Sequence, residues 1–259
     1  MKVNTHLLPL FFLLTLLSCS QQKEETLASS ENSSTKELPD TVRHALEAQG
    51  LIQKDSFRIA FDFRDKHYRA RINQGEYDYF REFSDSTGAK VVDHRHNQGF
   101  VRTIDGDTIA LAPKKAQAYS ESVNSVVYFA LLPYFLKDPA VQYQDLGIVE
   151  VEGEDYYKYQ VTFRKEDGGT DHDDIFIYWF HAKTHVLDYL AYSYTRNGGG
   201  VRFRKAYNPR TVEGIRLVDY INYKHENPKF PVEQTDKAFE QGKLEEVSRI
   251  DLENAEVGF

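Results

Sequence analysis

The chain has 259 residues and a formal net charge of −8, from 32 Lys+Arg against 40 Asp+Glu, with 41% hydrophobic and 28% charged residues. That balance excludes a disordered chain, a collagen-like repeat and a multi-span membrane protein, and the acidic excess argues against wrapping nucleic acid. A single Cys excludes a disulfide framework and a Cys-rich zinc site, whereas 17 Tyr and 17 Phe lean toward strands.

The amino terminus is the most specific segment. Lys2 supplies a positive start, and Leu7 to Leu17 is almost wholly apolar. That run is shorter than the about 20 apolar residues a spanning helix needs, so it predicts a secretory signal. It ends in Leu16-Leu17-Ser18-Cys19, a small residue followed by a thiol. The four residues resemble the lipobox of bacterial lipoproteins, which are cleaved before the Cys and acylated on it. The resemblance implies a signal peptide over 1–18, cleavage between Ser18 and Cys19, and a membrane anchor on Cys19. An ordinary signal peptide with a chance Cys is the alternative. Ser20, Gln21, Gln22, Lys23, Glu24 and Glu25 follow. They resemble the export signal of Bacteroidetes-type lipoproteins, and a plain hydrophilic tether is the alternative. The implied location is the cell envelope as an outer-membrane lipoprotein, with the periplasmic and surface-exposed leaflets both open. Residues 19–38 have too little apolar content to offset ordering entropy and read as a flexible tether.

Order is expected from residue 39 to 259, as one β-rich domain. Asp40 is placed to N-cap a short helix with Val42, Ala45 and Leu46 on one face and Gly50 at its stop. The period then drops to two: Phe57, Ile59, Phe61 and Phe63 alternate with polar residues, as do Tyr68, Ala70 and Ile72, giving a half-buried hairpin. Strands are expected near 77–84, 90–96, 99–104 and 108–112. Over 114–132, Tyr119, Val123, Val126, Val127, Ala130 and Leu131 share a helical face, and Pro133 ends it. Strands resume at 146–151, 156–164, 174–180, 186–194, 201–207 and 215–224, with turns at Glu152-Gly153-Glu154, Asp167-Gly168-Gly169, Asn197 to Gly200 and Asn208-Pro209-Arg210. Strand 174–180 is apolar on both faces, which predicts a helix over one of them. Leu244, Val247, Ile250 and Leu252 suggest one final edge strand inside an acidic, solvated stretch.

This pattern resembles the lipoprotein-carrier superfamily that includes LolA, LolB and LppX. The resemblance implies a mainly β (α+β) fold: a single curled antiparallel sheet forming an unclosed barrel, with helices covering its concave face. More narrowly, three stretches resemble a family of Bacteroidetes-type lipoproteins without an assigned role. They are Leu131-Leu132-Pro133-Tyr134-Phe135-Leu136-Lys137-Asp138-Pro139, Tyr178-Trp179-Phe180 and Gly199-Gly200-Val201-Arg202-Phe203-Arg204. The likeness covers about residues 40–225. No residue here matches the protruding apolar tip with which LolB-like proteins release cargo.

Chemistry-bearing clusters are sparse. His94 and His96 share one face of a strand, and Asp171-His172-Asp173-Asp174 fills a polar turn. The first lacks a third ligand and the second lacks the spacing of a calcium loop, so neither predicts a metal. There is no G-x-S-x-G elbow, and the glycines at 198–200 precede a strand, whereas phosphate cradles open a helix. The expectation is a non-enzyme without cofactor. What remains is aromatic: Phe61, Phe63, Tyr159, Phe163, Trp179, Tyr189 and Tyr192 are the candidates to line a cavity for an apolar or amphipathic ligand such as a lipid, an acyl chain or a lipoprotein. The alternative is a surface interaction or scaffold protein with a filled core.

Overall fold

The computed structural model describes residues 38–164, 174–195 and 198–259. Helix α1 (Asp40–Gln49) buries Val42, Ala45 and Leu46 on one stripe and ends at Gly50 in the left-handed region, with φ of 87°. A Cβ at Gly50 would also press into the carbonyl oxygen of Gly214, so this stop requires glycine twice over. Pro39, not Asp40, occupies the N-cap; Asp40 is the first helical residue and pairs with Arg43 one turn on.

Two antiparallel meanders follow. The first contains β1 (Ser56–Phe63), β2 (Lys66–Asn73), β3 (Glu76–Ser84), β4 (Lys90–His96), β5 (Gly99–Ile104) and the short β6 (Asp107–Thr108). Helix α2 (Pro113–Ala130) starts with a proline, whose missing N–H has no helical acceptor to lose. Pro133 leads into a 3-10 turn over Tyr134–Lys137. The second meander runs through β7 (Val141–Val151), β8 (Glu154–Phe163), β9 (Ile175–His181), β10 (Leu187–Tyr194), β11 (Gly200–Val212) and β12 (Ile215–His225). Helix α3 (Thr235–Glu240), β13 (Leu244–Ile250) and β14 (Glu253–Gly258) complete the chain.

Strand order is β14-β1-β2-β3-β4-β5-β6 in one seven-stranded sheet and β13-β12-β11-β10-β9-β8-β7 in the other. The fold is therefore mainly β and antiparallel, and it does not close into a barrel. Its ladder is divided where the chain steps from β13 to β14 through Asp251 and Leu252. The single edge strand expected over Leu244–Leu252 is thus two strands in two sheets. The step is fixed by the buried Asp219 of β12, which accepts the Leu252 N–H at 2.9 Å and pairs with Arg210 at 3.0 Å. Arg210 also donates to the Leu252 carbonyl.

Asn208-Pro209-Arg210, expected as a turn, is a bulge inside β11: the register with β12 shifts between Tyr207 and Arg210, and Asn208 has φ of 48°. The pairing of β11 with β10 reaches only Lys205, so Pro209 removes no bond from that ladder.

Each sheet has a helix-covered face. Val123 and Val127 of α2 pack with Phe57, Ile59, Phe61 and Tyr68 of the first sheet. On the second, α1 covers Tyr178, Phe180, Leu190 and Val218, while the segment from Val232 through α3 covers Ile177, Trp179, Tyr189 and Phe203 on the opposite face. Both faces of β9 are therefore buried, which explains its unbroken apolar run. A buried ion pair ties down the second cover: Lys158 Nζ lies 2.6 Å from Asp236 Oδ2, which also accepts the Trp179 indole N–H at 3.2 Å.

Candidate functional site

Helix α2 divides the space in front of the sheets. Its first half is held to the first sheet by arginines. Asp93, fully buried on β4, receives Arg81 at 2.5 Å and Arg102 at 2.6 Å. Arg81 then donates to Ser122 Oγ at 2.8 Å and Arg95 to Ser120 Oγ at 2.7 Å. The Arg102 guanidinium also lies 3.6 Å from the Tyr119 ring centroid. A helix anchored at one end in this way has its aromatic second half held over the second sheet.

That half carries Tyr128 and Phe129, which diverge by about 100° around the helix and so face different spaces. Asn124 and Tyr128, four residues apart, line a hollow of about 820 Å³ toward Tyr77, Tyr79, Tyr134 and Phe163. Ser125 and Phe129, with Val126 and Ala130, line a second of about 340 Å³. Both volumes fall within the about 300–1,000 Å³ of small-molecule pockets. The larger is mixed in charge, with Asp55, Glu76, Asp138, Arg95 and Lys137 on its walls. Burial moves the Lys137 ammonium below its ordinary pKa, and Lys137 Nζ lies 4.2 Å from the Tyr134 ring centroid.

The smaller pocket is mixed too: Phe63, Phe176, Tyr192, Tyr220, Ile250 and Leu252 supply apolar and aromatic wall, and Arg64, Asp174, Asn222 and Ser248 stand on the same lining. Phe129 and Tyr192 approach to 5.3 Å between centroids, and Phe176 and Tyr192 to 5.8 Å. Arg204 is the buried cation on this wall, donating to the Tyr192 hydroxyl at 3.0 Å with its guanidinium carbon 4.0 Å from the Phe129 centroid. Burial pushes the Tyr220 phenol up to about 12 against the opposing pull of Arg204 and Arg216, so it stays neutral at pH 7.

Among the described residues no three His, Cys, Asp or Glu side chains gather as a metal-binding set. His94 and His96 do share a face, with ring centroids 4.6 Å apart, but His94 is bonded to Asp78 at 2.8 Å and His96 to Gln98 at 2.8 Å. Asp171, His172 and Asp173 lie outside the described residues, as do the turn at Asp167-Gly168-Gly169, Asn197, and Ser18 and Cys19. Asp174 is described and stands on the lining of the smaller pocket. Also among the described residues, no helix is long and apolar enough to cross a membrane.

A family model covers residues 8–252 of the chain. The chain belongs to DUF6503, a family of unknown function. No curated protein matches it. Among solved structures, DUF6503 as represented here is similar to a DUF1329 family protein from Desulfovibrio piger at 12% identity, covering 84% of this chain and 91% of that one with a TM-score of 0.47. It is similar to a LolA superfamily protein from Nitrosomonas europaea at 11% identity, with 85% and 90% coverage and a TM-score of 0.45. A third similarity is to the lipoprotein LppX of Mycobacterium tuberculosis, at 13% identity with 62% and 88% coverage and a TM-score of 0.27.

In this DUF6503 chain the aromatic candidates do not gather at one site. Phe63 and Tyr192 line the smaller pocket and Phe163 the larger. Phe61 is fully buried and stacked on Tyr68 at 5.5 Å, and Tyr159 packs edge-on against Phe180 at 6.1 Å; neither lines either of these two pockets. Trp179 and Tyr189 face the other way, each 5.6 Å from Phe203 under α3. Phe129, Phe176 and Arg204, none of them among the expected candidates, also line the smaller pocket. Arg204 lies in the Gly199–Arg204 stretch that carries the family likeness. Its signal was cross-strand: it pairs with Leu190, whose side chain is fully buried on the helix-covered face.

Proposed function

We propose that the chain is a lipid-anchored cell-envelope protein that binds an apolar or amphipathic molecule in the smaller pocket, between α2 and the second sheet. One observation carries this reading: a space of about 340 Å³ remains amid Phe63, Val126, Phe129, Phe176, Ile250 and Leu252. Solvated apolar walls are unfavourable by roughly 25 cal/mol per Å², and an alkyl chain laid against them recovers that term. Anchoring follows from the lipobox-like Leu16-Leu17-Ser18-Cys19, with a leash over 19–38 and a binding domain over 39–259. Binding is the activity we assign to it.

The test is saturable fluorescence of N-phenyl-1-naphthylamine with the intact chain. The dye should brighten on wild type and stay dim on Val126→Trp, whose indole fills the pocket, with both proteins giving the same circular dichroism. An unsaturable signal, or equal binding by the filled variant, would overturn the proposal.

A further inference from the structure

Three Lys or Arg residues are buried among the described residues: Arg81, Lys158 and Arg204. Arg81 has Asp93 at 2.5 Å and Lys158 has Asp236 at 2.6 Å. Arg204, only 8% exposed, forms no ion pair among the described residues. Among the described residues its contacts are the hydroxyl and ring of Tyr192 and the face of Phe129, all neutral. Its Nε is buried and has no hydrogen-bond acceptor. A charged guanidinium removed from water without a counter-charge is strongly unfavourable, and one whose donor remains unused is more so. The chain meets that cost beside a pocket with room for another molecule.

A second polar atom on that wall is also unused. Asn222, which pairs with Arg204 across β11 and β12, has its Oδ1 buried without a partner while Nδ2 donates to Ser248 Oγ at 3.2 Å. The Ser248 hydroxyl serves equally as donor or acceptor, so that bond survives a half-turn of the amide, and Asn222 can turn either its oxygen or its N–H toward Arg204's strand.

We propose that Arg204 is the headgroup receptor of the pocket, and that the ligand is a single-chain anionic amphiphile ending in a carboxylate or a phosphate monoester. The planar guanidinium on the pocket wall supplies the charge and the N–H donors for an anionic head, and the tail runs along Val126, Phe129, Phe176 and Ile250. This rests on the apolar-ligand reading above and adds the charge of the head.

Displacement of N-phenyl-1-naphthylamine from the intact chain at pH 8 separates the two claims, using dodecanoate, dodecyl phosphate and dodecanol below their aggregation limits. The three share a tail and differ in the head. At least one anion should displace the dye at about tenfold lower concentration than dodecanol, the size of one charge-assisted hydrogen bond. Which anion is preferred tells carboxylate from phosphate. In Arg204→Gln the three should fall within about twofold of one another, through loss of anion affinity with dodecanol unchanged. Arg204→Lys, which keeps the charge, should retain the preference for the anion. Equal displacement by all three in wild type overturns the headgroup assignment and leaves the apolar pocket standing, and this comparison needs no variant to fold. No saturable dye signal at all overturns the pocket itself.

Discussion

Asp219 accepts the backbone N–H of Leu252 at 2.9 Å, at the point where the chain leaves one seven-stranded sheet for the other. The same carboxylate takes Arg210 at 3.0 Å and the Asn208 amide at 2.7 Å, both from the bulge in β11. One acid therefore sets both the bulge and the crossing. Leu252 is buried with Leu51, Phe57 and Leu217, so the crossing also closes one end of the core of the first sheet.

Asp219→Ala should therefore be among the most damaging single changes in the chain. Breaking a buried pair costs about 3–5 kcal/mol, and Arg210 keeps some access to water, so we expect about 3 kcal/mol. Urea unfolding measures it, and hydrogen exchange should place the loss first in β14. A cost under about 1 kcal/mol would mean the crossing is held by packing alone.

The cover on the far face of the second sheet depends on Lys158 and Asp236. Asp236→Ala leaves the Lys158 ammonium buried against Trp179 with only the Glu233 carbonyl, at 2.6 Å, as acceptor. We expect a loss of about 3–5 kcal/mol for that variant. Lys158→Met combined with Asp236→Leu should cost much less than the two single changes added, because no charge is then stranded. Strict additivity in denaturant unfolding would contradict the pairing.

Much of this architecture was legible in the residues, and the misses have physical reasons. Alternation in Phe57–Phe63 and Tyr68–Ile72 gave the hairpin because those strands bury one face only. The doubly apolar Ile175–Phe180 announced a second cover, but α3 is six residues long and too short to produce a periodic signal of its own. Pro209 reads as a turn because proline ends most strands; only the pairing partners reveal that its position bears no ladder bond. Among site residues, period-two patterning picked aromatics but could not tell the two faces of β9 and β10 apart, so Trp179 and Tyr189 were grouped with Tyr192. Arg204 alternates with Phe203 and looks like the wet side of a strand. Its burial depends on Phe129, 75 residues earlier in the chain.

Glu152, in the β7–β8 turn, gives a pH signature. Burial acts to raise its pKa, but Lys205 Nζ at 2.6 Å and the Tyr189 hydroxyl at 2.5 Å outweigh it, and the carboxyl lies below its ordinary 4.5. A group depressed on folding stabilises the native state above its unfolded pKa, and that contribution disappears as pH falls through the folded value. Wild type should therefore exceed Glu152→Gln in stability at pH 7 by less than about 1 kcal/mol, since the side chain is half exposed. The gap should hold down to about pH 4.5 and shrink below it. Thermal melts of both proteins across that range measure it; a gap that widens on acidification would contradict the sign.

Cys19 carries the proposed attachment to the membrane. One acyl chain binds membranes only marginally, whereas two or more hold a protein firmly, each buried CH₂ adding about 0.8 kcal/mol. Position 19 falls in the leash proposed for residues 19–38, ahead of the proposed binding domain. Cys19→Ala expressed in a bacterial host should lose all incorporation of tritiated palmitate and move from the membrane to the soluble fraction. Its melting temperature and its dye binding should match those of unacylated wild type, because the proposed binding domain starts at residue 39. Equal palmitate labelling of wild type and variant would remove the anchor from the proposal. The pocket, which depends on α2 and the second sheet, would remain to be judged on its own displacement data.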